Sequence, residues 1–221
     1  MVEVRAQRAS KPGDGPTQVF LASRNAKKLA EMERILGEVL PGIQVLGLDD
    51  VTAYDEPVED QPDFTGNALL KARVGYQQTG LPTVADDSGL CVDALNGMPG
   101  VLSARWSGLP KSDDRNNQLL LDQLHDVPDE RRTAHFVSVV AFVHAGGELV
   151  VEGRMGGRVI REVRGAGGFG YDVVFEADDL PGVTTAELSK DDKDAISHRG
   201  KALRELAPQV AAILTGFRGS R

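Results

Sequence analysis

Apolar positions along the chain switch between the unbroken runs of buried strands and the three-to-four-residue spacing of helices. Val19, Phe20, Leu21 and Ala22 form one such run. The polar stretch Ser23-Arg24-Asn25-Ala26-Lys27-Lys28 follows at once. Leu29, Met32, Leu36, Val39 and Leu40 then recur at helical spacing until Pro41-Gly42 ends the helix. The pattern predicts strand, polar turn and helix, with Ser23 or Asn25 as the cap. Gln44 to Leu48 predicts a second strand, and residues 49–63 an acidic loop containing proline. A further helix starts near Thr65, carries Leu69, Ala72 and Tyr76 on one stripe, and stops at Gly80-Leu81-Pro82.

In the middle of the chain, Thr83, Val84 and Ala85 lead into Asp86-Asp87-Ser88-Gly89. This predicts a strand that ends at the carboxylates, then a second short strand through Leu90 to Val92. Ser112 or Asp113 can cap a helix running to about His125. Ala134 to Val143, rich in Val and Phe, is a strand that Gly146-Gly147 turns into a hairpin partner, Glu148 to Val151, with another strand at Val159-Ile160. A glycine-dense loop from Gly165 to Asp172 precedes an apolar strand, Val173 to Phe175. Thr184 to Glu187 has capping-box spacing, and Ser189 to Ala195 forms a short helix or turn. Ala202, Leu203, Leu206, Val210, Ile213 and Leu214 stripe a last helix in which Pro208 is a point of interruption. No repeat or linker divides the chain. The expectation is one α/β domain over residues 17–217 behind a basic, polar, disordered tail over residues 1–16.

Composition narrows the class. Of 221 residues, 41% are apolar and 26% charged, as in ordinary soluble proteins, and aromatics at 5% leave the core to Leu, Val, Ala and Ile. A net charge of −8 argues against broad binding to nucleic acid or an anionic membrane. No apolar run is long enough to span a bilayer. The single cysteine, Cys91, excludes an internal disulfide and fits a reducing compartment, so the expected location is cytoplasmic.

The chemistry centres on Asp87. Neighbouring carboxylates repel one another unless a cation or hydrogen-bond donors offset the cost. Read alone, Asp-Asp-Ser-Gly is equally well explained as a capped polar turn. Other features add weight. Lys27 and Lys28 sit in a first helical turn, against the helix dipole, where an anion would be welcome. Asn67 and Lys71 share one helix face. Glycines flank Phe169 and Tyr171 and would let two aromatics approach a flat ligand. Lys193, His198 and Arg199 form a late basic set. No Walker-type loop, zinc-spaced Cys/His set or Gly-x-Ser-x-Gly elbow is present. A phosphate turn, a carboxylate site suited to Mg²⁺ and an aromatic platform point together to a nucleotide.

These motifs, in order, resemble those of the inosine triphosphate pyrophosphatase family, also called non-canonical purine NTP pyrophosphatases or XTP/dITP diphosphatases. The resemblance is carried by Ser23 to Lys28, Asn67-Ala68 with Lys71-Ala72, and Ala85 to Leu90. It continues through Pro99-Gly100 with Ser103-Ala104-Arg105, Gly168 to Asp172, and Ser197-His198-Arg199-Gly200. The chain departs from the family pattern at Gly66, Val173 and Met155-Gly156.

The resemblance implies an elongated α/β domain whose central mixed sheet is flanked by helices, with two lobes forming a nucleotide cleft, in a homodimer. It implies Mg²⁺-dependent hydrolysis of dITP, ITP and XTP to the monophosphate and pyrophosphate. By the same resemblance, Ser23, Arg24, Asn25, Ala26, Lys27 and Lys28 hold the triphosphate, Asp87 is general base, and Glu59 and Asp87 hold the metal. Ser88, Phe169, Gly170, Tyr171, Asp172, Lys193, His198 and Arg199 contact the nucleotide, with Phe169 stacking on the base. The competing expectations are a pyrophosphatase for other modified nucleotides and a catalytically weak nucleotide-binding module.

Overall fold

The computed structural model describes residues 17–216, so the expected tail and the domain's last residue, Phe217, lie outside the described residues. The chain begins as its pattern predicts. Strand β1 (Gln18–Leu21) leads into α1 (Ala26–Val39), capped by Asn25, whose Oδ1 accepts from the N–H groups of Lys27 and Lys28 at 3.0 and 3.4 Å. Strand β2 (Gln44–Leu46) is shorter than predicted, because Leu48–Asp50 coils into a 3-10 turn. The acidic loop ends at Asp63, which caps α2 (Phe64–Thr79) by accepting from Gly66 N at 2.7 Å. Gly66, the first departure from the family pattern, is crowded: a Cβ there would lie 2.7 Å from the Gln61 Cβ.

The centre differs from expectation. Thr83 to Val92 is one strand, β3, and Asp86 to Gly89 continue it with no turn. Every residue of β3 is paired antiparallel with β5 (Thr133–His144), including Asp86 with Val140, Asp87 with Val139 and Ser88 with Ser138. The ladder to β5 satisfies the backbone groups along one edge, and the polar side chains ride on a regular strand. Strand β4 (Met98–Pro99) and helix α3 (Asp113–Gln123, capped by Ser112) follow β3. Strand β6 (Gly147–Val159) runs unbroken through the residues expected to form two strands. Gly170–Val174 forms a 3-10 turn, which places β7 at Phe175–Ala177. Thr184 N does donate to Glu187 Oε2 at 2.7 Å, but no helix starts there. Helices α4 (Lys190–Ile196) and α5 (His198–Gly216) are the last elements among the described residues, and α5 continues through Pro208.

Among the described residues the strands form a single mixed sheet, ordered β2-β1-β3-β5-β6-β7 with β4 beside β3. Helix α2 covers one face, packing Ala68 and Ala72 on Ala85, Val139 and Ala141. The other face carries two apolar clusters. One joins α1 and α5 to Val84, Val140 and Val151, and the other joins Leu120, Tyr171 and Phe175 to Leu90, Phe136 and Met155. Between them a row of small residues crosses three strands: Ser88, Ser138 and Gly153.

Candidate active site

A notch in the sheet organises the site. On its β1 side, β3 is paired with β1 only at Thr83 and Val84, and with β4 only at Cys91 and Val92. From Ala85 to Leu90 this edge has no strand neighbour among the described residues; Ser103 Oγ accepts from Leu90 N at 2.9 Å at one end, and the turn from Ser23 to Lys28 stands beside the other. Side chains alternate along a strand, so Asp86 and Ser88 face α1 and α5, while Asp87 faces α2. The notch brings both faces of one strand to a single opening.

On the first face, Lys28 Nζ meets both oxygens of the buried Asp86 at 2.7 and 2.8 Å. Ser88 Oγ donates to the same carboxylate at 3.2 Å, and Arg199 Nε lies 3.5 Å from it. Burial alone would raise the Asp86 pKa, but Lys28, Arg199 and Lys71 overcome it and hold the carboxyl well below its usual range. Arg199 also faces Glu31 at 3.6 Å. Of the remaining turn residues, Asn25 donates its N–H to Ser23 Oγ, Ala26 opens α1 and Lys27 is exposed. Arg24 Nε donates to Glu56 at 2.6 Å, which ties the phosphate turn to the acidic loop.

On the second face, Asn67 Nδ2 donates to Asp87 Oδ2 at 2.9 Å and Ser88 N donates to Asp87 Oδ1 at 3.0 Å. Lys71 Nζ donates to Glu59 at 2.6 Å and stands 3.8 Å from Asp87. Arg105 donates to the Glu59 carbonyl at 3.2 Å. Burial raises the Asp87 pKa, against the opposing pull of Lys71 and Asn67, while Lys71, Arg105 and Lys111 draw Glu59 down despite burial. The shared face of Asn67 and Lys71 was legible in their spacing, although neither was among the expected site residues. Arg105 lies within one of the family-like motifs, and nothing in the sequence pointed it at Glu59.

Glu59 and Asp87 are thus brought together, bridged by the Lys71 ammonium. Among the described residues, no group of three or more His, Cys, Asp or Glu side chains could hold a metal ion. Two carboxylates suit Mg²⁺, which takes few protein ligands and completes its octahedron with water and substrate phosphates. The donor set fits that ion.

The late segment divides. Phe169 is 57% exposed, and Lys193 Nζ lies 5.1 Å from its ring centre. Gly170 is tied to α3 by accepting from Asn117 at 2.8 Å and donating to Asp113 at 2.7 Å. Tyr171 does not share in a platform: it is buried, and its hydroxyl donates to the Ser103 carbonyl at 2.9 Å. Asp172 is also buried, accepting from Phe169 N at 2.8 Å, Thr185 Oγ1 at 2.8 Å and Lys193. Both support the loop that displays Phe169. His198 stacks on Phe136 with centroids 4.9 Å apart, and burial, aided by Arg199 and Lys193, lowers its pKa to about 3. It is neutral near pH 7, so only Lys193 and Arg199 of the expected basic set carry charge. Its Nδ1 is buried with no hydrogen-bond partner among the described residues. At the other departures, Met155 and Val173 pack in the apolar cluster around Phe175, and Gly156 lies against the Asp178 carboxylate.

Known proteins resemble the chain throughout this framework. The model of the Ham1 family matches residues 19–209. A dITP/XTP pyrophosphatase of Nocardia farcinica is 59% identical over 198 residues, 89% of this chain and 96% of that protein. The crystal structure of a nucleoside-triphosphatase, dITP/XTP pyrophosphatase, from Mycobacterium abscessus superposes with a TM-score of 0.74 at 53% identity, covering 86% of this chain and 99% of that one. A HAM1 protein from Coxiella burnetii gives 0.80 at 38% identity, with 87% and 98% covered.

Proposed function

The chain belongs to the Ham1 family, and from that premise we propose that it hydrolyses non-canonical purine nucleoside triphosphates (dITP, ITP and XTP) to the monophosphate and pyrophosphate. The observation that carries this reading is the notch in β3, where Lys28 and Arg199 meet Asp86 on one face while Lys71 and Glu59 meet Asp87 on the other. A triphosphate entering there meets cations from both sides and a carboxylate whose pKa burial raises.

In the mechanism, the turn from Ser23 to Lys28 binds the phosphate chain, and Lys28 exchanges part of its pairing with Asp86 for phosphate oxygens. Asp87, oriented by Asn67 and the Ser88 N–H, takes the proton of the attacking water. Lys28 and Lys71 hold the charge that develops on the leaving pyrophosphate. Glu59 and Asp87 would hold Mg²⁺, which would supply charge neutralisation at the phosphates. Phe169 lies against the base, and Arg199 offers a donor to a 6-keto oxygen that adenine's 6-amino group cannot accept.

The reading extends to a homodimer, as the family resemblance implies, and to a cytoplasmic location, in keeping with a single cysteine. Among the described residues, no helix is long and apolar enough to cross a membrane. The net charge of −8 supports a small anionic substrate in a local basic pocket over a nucleic acid. The test is a nucleoside triphosphate panel with Mg²⁺, with pyrophosphate assayed apart from orthophosphate. Pyrophosphate from dITP and XTP in preference to dATP and dGTP is the expected outcome. Preference for a modified pyrimidine, or thermal stabilisation by nucleotides without turnover, would overturn it.

A further inference from the structure

We infer that Gly153 is a positioning residue for base selection: it lets the start of α5 seat on the sheet, and thereby sets where His198 and Arg199 stand. The inference rests on the assignment of Arg199 to the base under the proposed function.

The geometry lies in the row of small residues. Ser88, Ser138 and Gly153 are register partners across β3, β5 and β6. On one side the next row is Asp86, Val140 and Val151, and on the other it is Leu90, Phe136 and Met155. The seam between the two apolar clusters is therefore shallow, and the first turn of α5 lies over it at Gly153. A Cβ at Gly153 would fall 2.0 Å from the His198 carbonyl oxygen and 2.6 Å from Ala202 N. Both obstacles are backbone, so a methyl group there forces the helix start to lift or tilt; no side-chain rotation relieves it.

That displacement reaches the site directly. The His198 ring is stacked on Phe136 at an interplanar angle of 11°. Arg199 is poised between Asp86 and Glu31 at 3.5 and 3.6 Å, separations that a movement of about an ångström would break or make. Asp87 on β3 and Asn67 and Lys71 on α2 lie on the other side of the sheet, away from the shift, and Lys28 holds both oxygens of Asp86 directly from α1. Crowding at Gly153 should therefore disturb which base is accepted more than the rate at which an accepted one is cleaved.

The test compares the wild type, Gly153→Ala, Arg199→Ala and Gly75→Ala in kcat and KM for dITP and dATP, alongside the Tm of each. Gly75→Ala is the control for simple crowding, since its Cβ would meet Thr83 and Phe20 at 2.8 and 3.0 Å on the α2 face. Gly153→Ala is expected to raise KM for dITP about tenfold and to cut the dITP-over-dATP preference by a similar factor, with kcat within about threefold. Gly75→Ala is expected to lower Tm and leave the preference intact. An unchanged preference in Gly153→Ala, or an equal loss in Gly75→Ala, overturns the inference.

Should Gly153→Ala fail to fold, Phe136→Leu decides between the seat and the ring stack. If the seat at Gly153 sets the position, removing the stack keeps the preference within about threefold; a loss as large as that of Arg199→Ala gives the role to the stack and overturns the inference. If the wild type releases no pyrophosphate from dITP, the functional reading fails; if Arg199→Ala keeps the wild-type preference, the assignment of Arg199 to the base fails; either takes the inference with it. A changed preference in Arg199→Ala with none in Gly153→Ala sinks the inference alone.

Discussion

Lys28 places its ammonium 2.7 and 2.8 Å from the two oxygens of Asp86, so the lysine best sited to receive a phosphate is already held by a buried carboxylate. The pair spans 58 positions of sequence and joins α1 to the centre of the sheet. A substrate phosphate competes with Asp86 for this cation, and Arg199 remains beside Asp86 to limit the cost of sharing it.

Lys28→Ala therefore has two consequences. Turnover is expected to fall about 10²- to 10³-fold for every nucleotide alike, because the lost contact is to phosphate. Stability is expected to fall by about 2–3 kcal/mol, since Asp86 keeps its burial and loses its main partner. Adding Asp86→Asn should recover most of the Tm and none of the turnover. Thermal melts and pyrophosphate assays on the single and double variants check both halves.

Asp87→Asn keeps the shape of the side chain and removes its basicity. Turnover of dITP is expected to drop by at least about 10²-fold with the fold retained. Near-wild-type turnover at saturating Mg²⁺ would remove Asp87 from proton transfer and leave the role to another group at the notch.

Arg199→Ala removes a donor for a 6-keto oxygen. The kcat/KM for dITP and XTP is expected to fall more than that for dATP, shrinking the discrimination by about 1–3 kcal/mol. Proportional losses across all three nucleotides would assign Arg199 to the ion pairs with Asp86 and Glu31 alone.

Acid stability follows from His198 and Asp86. Burial, then Arg199 and Lys193, depress His198 to about 3, so between that value and the ordinary histidine range the unfolded chain binds a proton that the folded chain refuses. Stability is fully present above about pH 6.5 and drains away as pH falls toward 3. Asp86, also depressed, adds a loss that starts below about pH 4, while Asp87, raised, gains stability as pH falls toward that value and so opposes the His198 loss above it. His198→Gln is expected to flatten the curve between about pH 6.5 and 4 and to leave the lower limb in place. Urea denaturation at stepped pH measures it.

Much of this architecture is readable where the causes are local. Asn25 and Ser112 cap their helices as their positions before apolar periodic runs suggest, and the long hairpin follows from its valines and its Gly-Gly turn. The continuous course of β3 was not readable. Asp86 to Gly89 look like a turn because their side chains need partners, and those partners come from distant parts of the chain: Lys28, 58 residues away, and Asn67, 20 residues from Asp87. The same holds for β6, where Gly153 and Gly157 look like breakers. Each instead marks a close approach of other backbone, from α5 and β7. Tyr171 misled for a related reason: flanking glycines suggest exposure, yet the ring turns into the core to reach Ser103.

The pairing of β6 also bears on how the chain behaves in company. Strand β7 covers β6 only from Gly157 to Val159, so among the described residues the stretch from Glu148 to Gly156 has β5 as its one strand neighbour. A long bare strand margin invites stacking by other copies or by nascent chains. Here the outward positions read Glu148, Val150, Glu152 and Arg154, and the charges make each such adhesion cost desolvation. Replacing Glu152 and Arg154 together with valine should leave the rate per folded molecule unchanged while light scattering climbs with concentration. A variant that stays clear when concentrated would show that these charges have no part in keeping the chain in solution.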